Sequence, residues 1–340
     1  MLRLVNSHRR SRARISSLVA VLAVTVMPIG LTACGSAAQG PAKTAKPNED
    51  KPLKLKVGAL PVVGNVPLFL AQEKGFFREE GLDVEISTDV SNPANAVPAV
   101  LSGDLDLITS NSVTFLQAVG KRLPVTFVSA VSSNSPEYTG TYVKKDSPIR
   151  TIKDLAGKKV GLLALGGIQH VAYLKAAKDS GIDPGSVTFV ELPIQNTVSA
   201  LESGKVDAAG LIEPFITIGG SGLRRIASGL DEGLGPQTLV TGMMTSNKFV
   251  KANPDAAGGF ARAMARAETY CADHPGDVRA TLGKVSKTPP AVLAKIGMPT
   301  FHKGSDAASL RQQLRRQAQV MVDVGRLKQM PDVDGSVFGG

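Results

Sequence analysis

The sequence predicts an α/β protein of two lobes, each a mostly parallel sheet flanked by helices, and three observations predict it. From residue 53 short β-type runs alternate with helix-type runs, the pattern of a layered α/β architecture. The same order of elements then occurs a second time, with Gly103-Asp104-Leu105-Asp106 and Gly204-Lys205-Val206-Asp207 entering a strand at matching places. Roughly 290 residues follow a non-globular start, enough for two domains of ordinary size with a core each.

The first lobe opens with the alternating strand Leu53-Lys54-Leu55-Lys56-Val57-Gly58, followed by a helix over residues 67–77 with Gly75 near its end. A strand over 83–87, a helix over 94–102 closed by Gly103, a strand over 105–109, a helix over 112–119 and a strand over 125–129 complete three βα steps. The turn formers of residues 132–140 mark a crossing between lobes. Strands over 159–163, 187–191 and 206–212 then alternate with helices over 168–180 and 197–203, and a strand-like run over 238–244 carries the chain back. The expected division is therefore 53–138 for the first lobe, 139–239 for the second, and 240–340 for the return and C-terminal helices. Asn253-Pro254-Asp255 reads as a capping residue followed by proline at the first helical position. Further helices start near Asp277, Pro290 and Ser305, and Leu310, Leu314 and Met321 give the last one an apolar stripe among Arg and Gln.

Residues 1–33 read as an export signal. Arg3, Arg9, Arg10, Arg12 and Arg14 precede an apolar run over 15–29 that is short for a membrane-spanning helix. Leu31-Thr32-Ala33-Cys34 then resembles a lipobox, with Cys34 as the lipidated first residue of the mature chain. Residues 34–52 have no large apolar side chain and read as a flexible tether. The expected location is the outer face of the cytoplasmic membrane.

Losing the five leader arginines takes the formal charge from +10 to +5, and the remaining bases are scattered in a chain without Trp, which argues against nucleic acid. Cys34 and Cys271 are the two cysteines, and Cys271 sits in a helical pattern as a small buried hydrophobe. No second His or Cys stands at ligand spacing from another, so neither a metal nor a cofactor is expected.

Several phrases resemble a known family. Ala71-Gln72-Glu73-Lys74-Gly75-Phe76-Phe77-Arg78-Glu79-Glu80-Gly81-Leu82-Asp83-Val84 is similar to the A-x-E-K-G-F-F-x-x-E-G-L-D-V signature of ABC-transporter solute-binding proteins in the nitrate, sulfonate, taurine and thiamine-pyrimidine-precursor group. Leu101-Ser102-Gly103-Asp104-Leu105-Asp106, the segment Ile152-Lys153-Asp154-Leu155-Ala156-Gly157-Lys158-Lys159-Val160, and Glu213-Pro214-Phe215 resemble its further motifs in the same order. These motifs are read as structural: glycines turn the chain while Phe76 and Phe77 pack beneath. The resemblance implies a type II periplasmic-binding-protein fold. It also implies a monomer that takes a small organic solute, sulfonate-like or pyrimidine-precursor-like, to an ABC permease and ATPase. The same resemblance reaches pyrimidine-precursor synthases, so an enzyme is the competing reading; a ligand-sensing lipoprotein is a third. No nucleophile elbow, phosphate loop or Cys/His/Asp constellation supports catalysis, and a binding protein is expected.

Ligand contacts are expected beyond the carboxyl ends of the parallel strands. The candidates are Asn65, Asn92, Ser110 and Asn111 in the first lobe, and Gly166, Gly167, Gln169, His170, Gln195, Asn196 and Glu213 in the second. Gly166-Gly167 either exposes backbone to a ligand or makes a tight turn, and Asn65, Asn111 and Gln195 are equally helix caps. None of the segments carries Lys or Arg. A carboxylate at Glu213, if it faces the cleft, favours a solute that bears a hydrogen-bond donor over an inorganic anion.

Overall fold

A computed structural model describes residues 51–90, 93–303 and 306–339. The expected signal, the lipidation residue Cys34, the tether up to residue 50 and Asn92 lie outside the described residues. Two five-stranded sheets organise the rest. The first contains β1 (Leu53–Gly58), β2 (Leu82–Ser87), β3 (Leu107–Asn111), β4 (Val125–Ser133) and the returning β10 (Leu239–Ser246), in the order β2-β1-β3-β10-β4. The second contains β5 (Thr139–Lys144), β6 (Lys159–Leu162), β7 (Thr188–Glu191), β8 (Ala208–Ile212) and β9 (Leu223–Ala227), in the order β7-β6-β8-β5-β9.

Each sheet has four strands in one direction and one reversed. In the first sheet β1 is parallel to β2 and β3, while β10 runs antiparallel to β3 and β4. In the second β6 is parallel to β7 and β8, while β5 runs antiparallel to β8 and β9. The reversed strands are the first element after each crossing, so the fold is the mostly parallel one expected, with the direction change placed where the chain changes sheet.

Helices fill the faces: α1 (Val66–Glu73), α2 (Phe76–Glu79), α3 (Pro93–Ser102), α4 (Ser112–Gly120), α5 (Ile168–Asp179), α6 (Ile194–Glu202), α7 (Phe215–Gly219), α8 (Asp231–Leu234), α9 (Asn247–Ala252), α10 (Pro254–Asp273), α11 (Pro275–Ser286), α12 (Pro290–Leu293) and α13 (Ala307–Asp323). Leu55 and Val57 of β1 face a core with Phe77, Phe260 and Met264, and Phe77 stacks on Phe260 at 4.9 Å. On the other face Phe115 and Phe127 pack with Leu310, Leu314 and Met321, the stripe of α13. A further cluster, with Val63, Leu70, Tyr138, Ala172, Leu230, Val240 and Ile296, joins segments around both sheets. Cys271 is buried there, as its sequence pattern implied. Edge strand β4 is buried throughout; its outer edge is covered by the C-terminal tail, where the Phe338 N–H donates to the Phe127 carbonyl.

Several expectations need correction. The helix read over 67–77 is two helices, because Gly75 takes the left-handed conformation (φ 79°) and restarts the chain as α2. The third strand begins at Leu107 rather than 105, since the Asp106 carboxylate turns back to accept from the Lys56 N–H. Asn253 makes no side-chain cap to α10, whereas Asp306 caps α13 through the Ser309 N–H. Strands β5 and β9 were not foreseen: β5 emerges from the turn-forming segment, and β9, Leu-Arg-Arg-Ile-Ala, is an edge with no alternation of burial.

The two crossings, β4 to β5 and β9 to β10, run side by side and are joined by Asn134, which is fully buried. Its amide donates to the Asp231 carboxylate at 2.7 Å and accepts from the Thr139 hydroxyl at 2.7 Å, and its backbone N–H donates to the Thr238 carbonyl. Replacing Asn134 by Leu leaves the Asp231 carboxylate without its amide donor, while the Thr139 hydroxyl keeps the Ser228 carbonyl. Urea denaturation is expected to show a loss of about 2–3 kcal/mol; a change within the error of the measurement would mean that the crossings are held otherwise.

Candidate functional site

A cavity of about 90 Å³ lies where the carboxyl ends of β1, β3, β6 and β8 meet the two crossings. From the first sheet come Leu60, Val62, Asn65, Thr109, Ser110 and Asn111; from the second, Leu163, Ala164, Gly167, Ile168, Gln169, Ile194 and Ile212. The crossings add Tyr138, Thr139 and Leu230, and β10 adds Val240 and Thr241. Among the described residues no lining side chain is a carboxylate, imidazole, ammonium or guanidinium. A wider groove of about 860 Å³ lies apart, at the end of α4 and under the tail after α13, with Lys121, Arg122, Arg326 and Lys328 on its walls.

Asn65 ends a 3-10 turn after β1 and is 2% exposed. Its amide nitrogen donates to the Leu60 carbonyl at 2.9 Å and the Thr109 hydroxyl at 3.3 Å, and its oxygen has no partner. It makes no cap bond to α1, so the capping reading does not hold for it. Close packing brings this turn to the cavity: a Cβ on Gly64 would stand 2.4 Å from the Tyr138 hydroxyl, which burial keeps protonated. Asn111 is the reverse case, because its side chain caps α4 through the Thr114 N–H at 2.8 Å while the residue still lines the cavity. Ser110 is buried and its hydroxyl donates to the Asn111 carbonyl.

In the second lobe the two glycines divide their roles. Gly166 is left-handed (φ 80°) and makes the turn, its N–H donating to His170 Nδ1 at 2.7 Å and its carbonyl accepting from Gln117 Nε2 of α4 at 2.7 Å. Gly167 lines the cavity as the residue before α5, with no side chain over the helix end. Gln169 lines it too and lies against Gly210, where a Cβ would be 2.9 Å from its nitrogen. The His170 ring faces away from the cavity, packed on Phe189 at 4.5 Å with Arg326 3.4 Å from Nε2. Gln195 and Asn196 are exposed on α6, and Ile194 supplies the wall that they were expected to supply.

Glu213 is buried but does not line the cavity. Its carboxylate accepts from the Thr217 hydroxyl at 2.8 Å, the Thr217 N–H and the Gly297 N–H, both at 3.1 Å, so it fastens β8 to the C-terminal segment. Burial pushes its carboxyl up, and these hydrogen bonds hold it down in part. The expectation that Glu213 reads a solute's donor group therefore loses its basis: the carboxylate is already occupied. Thr109, Tyr138, Thr139, Thr241 and most of the apolar wall carried no sequence signal, since their place depends on where the crossings run.

The alkanesulfonate-binding protein of Xanthomonas axonopodis superposes with a TM-score of 0.71 at 21% identity, over 85% of this chain and 99% of that one. The two sheets thus form a periplasmic-binding-protein fold. The family model described as NMT1/THI5 like matches residues 64–278, and the chain belongs to that family. A Saccharomyces cerevisiae relative, 27% identical over 228 residues, is named 4-amino-5-hydroxymethyl-2-methylpyrimidine phosphate synthase THI13; the match takes in 63% of this chain and 65% of the yeast protein. A Bacillus subtilis relative, 25% identical over 212 residues, is named as the binding protein YtlA, with 61% and 63% covered.

Burial and Arg326 hold His170 down from 6.5 to about 4. The folded site refuses a proton that the unfolded chain accepts, so stability falls as pH drops through the window from 6.5 to about 4 and levels off beneath it. His302, shifted down by burial, acts in the same sense, and Glu213, shifted up, offsets part. Urea unfolding at about pH 7 and about pH 4.5 is expected to show His170 contributing on the order of 2 kcal/mol to the difference. His170→Gln should shrink that difference; an undiminished one would assign it to other groups.

Proposed function

We propose that the chain is an extracytoplasmic solute-binding lipoprotein, anchored through Cys34, that closes its two lobes on a small organic solute and delivers it to an ABC importer. The cavity carries this reading. Both sheets contribute to it at the ends where helices begin, and its walls are alkyl groups, amides and hydroxyls. Apolar walls suit a compact uncharged body, and the few polar groups suit orientation. Without its phosphate, the pyrimidine named for the yeast relative has that character; an alkanesulfonate has it at one end only. The permease and ATPase would meet a monomer in this reading.

A synthase is the second reading, favoured by the yeast relatives' name. Binding is preferred because the cavity wall offers no thiol, imidazole or carboxylate to move a proton or attack a carbon. Chemistry distinguishes the two. Purified protein is exposed to a mixture of small pyrimidines and alkanesulfonates, washed, and unfolded, and the released solute is weighed by mass spectrometry. An unchanged mass is expected, together with stabilisation of about 3–4 kcal/mol at a large excess of the bound compound. A pyrimidine phosphate released by protein that was given none would establish the synthase instead, and Cys34→Ala that stays with membranes would remove the anchor.

A further inference from the structure

We infer that Asn65 selects the solute through its side-chain oxygen, which requires a hydrogen-bond donor from the ligand; the inference rests on the binding role proposed above. The orientation of the amide is fixed by chemistry. The Leu60 carbonyl can only accept, so the NH2 group must face it, and the Thr109 hydroxyl takes the second hydrogen. The oxygen is then left as an acceptor with no protein partner, in a residue 2% exposed that lines the cavity. A buried acceptor without a donor is costly, and few are tolerated without reason.

Among the described residues no cation stands in the lining to reverse this preference. A sulfonate or nitrate offers only oxygens, which would meet the Asn65 oxygen lone pair to lone pair. An amine, amide or hydroxyl on an otherwise apolar body satisfies it. At the opposite wall α5 begins at Gly167 with no side-chain cap, which places the positive end of a helix there for an acceptor atom. The fitting solute is thus compact and uncharged, with a donor toward Asn65 and an acceptor toward α5.

The test uses the unmodified protein first. Calorimetric titration compares 4-amino-5-hydroxymethyl-2-methylpyrimidine with its 4-dimethylamino and 5-methyl counterpart, which has no donor, and with methanesulfonate and nitrate. The donor-bearing ring is expected to bind at least about tenfold more tightly than its donor-free counterpart, with no binding of the anions. Asn65→Leu should erase that ratio, and the ligand pair on the unmodified protein decides alone if the variant does not fold. Equal binding of the matched pair, or binding of an anion, overturns the inference and leaves the binding role standing. If neither ring nor anion binds, and the wider mixture also leaves nothing on the protein, the inference falls together with that role.

Discussion

Everything about the cleft depends on the chain crossing between sheets twice at one place. A single crossing would leave two beads on a string; two crossings fix the lobes to a common axis, and Asn134 makes the pair one object by holding Thr139 of β5 and Asp231 at the start of α8. Because each reversed strand lies next to a crossing, the four co-directional strands of each sheet end at the same junction. Loops and helix starts converge there for topological reasons, before any particular side chain is chosen.

The junction is also where buried polar groups accumulate, and each has a different answer to the cost of burial. Asn134 and Glu213 are satisfied within the protein and act as fasteners. Asn111 spends its oxygen on a helix end. Asn65 spends only its nitrogen. Satisfied groups rigidify the frame, and among the described side chains that line the cavity the unsatisfied oxygen of Asn65 is left to the ligand, so the same inventory separates scaffold from specificity.

Much of the frame was legible in the sequence because it is local. Leu55 and Val57 bury between exposed Lys54 and Lys56 as the alternation implies, although Leu53 at the strand's start is exposed, and the stripe Leu310, Leu314 and Met321 packs as its spacing requires. The site was half legible. Asn65, Ser110, Asn111, Gly167 and Gln169 follow strands and reach the cavity, as position after a strand implies. Gln195 and Asn196 follow a strand as well, but the turn of the helix puts Ile194 inward and them outward. Strand β9 was not legible because an edge strand with Arg224 and Arg225 owes its place to pairing with β5 rather than to a buried face.

Glu213 shows how a preference for a donor-bearing solute loses the cause that the sequence suggested for it. A carboxylate after a strand pointed to a solute with a donor, yet its oxygens are filled by Thr217 and Gly297. The demand for a donor returns at Asn65, a residue whose type allowed either role, because the amide's two ends are distinguishable only once the Leu60 carbonyl is in place beside it. That carbonyl belongs to the loop after β1, and the loop's path depends on Gly64 fitting under Tyr138 of the crossing. Selectivity in the cleft is therefore a consequence of how the two lobes are joined: the contact that positions the crossing also decides which end of Asn65 a solute meets.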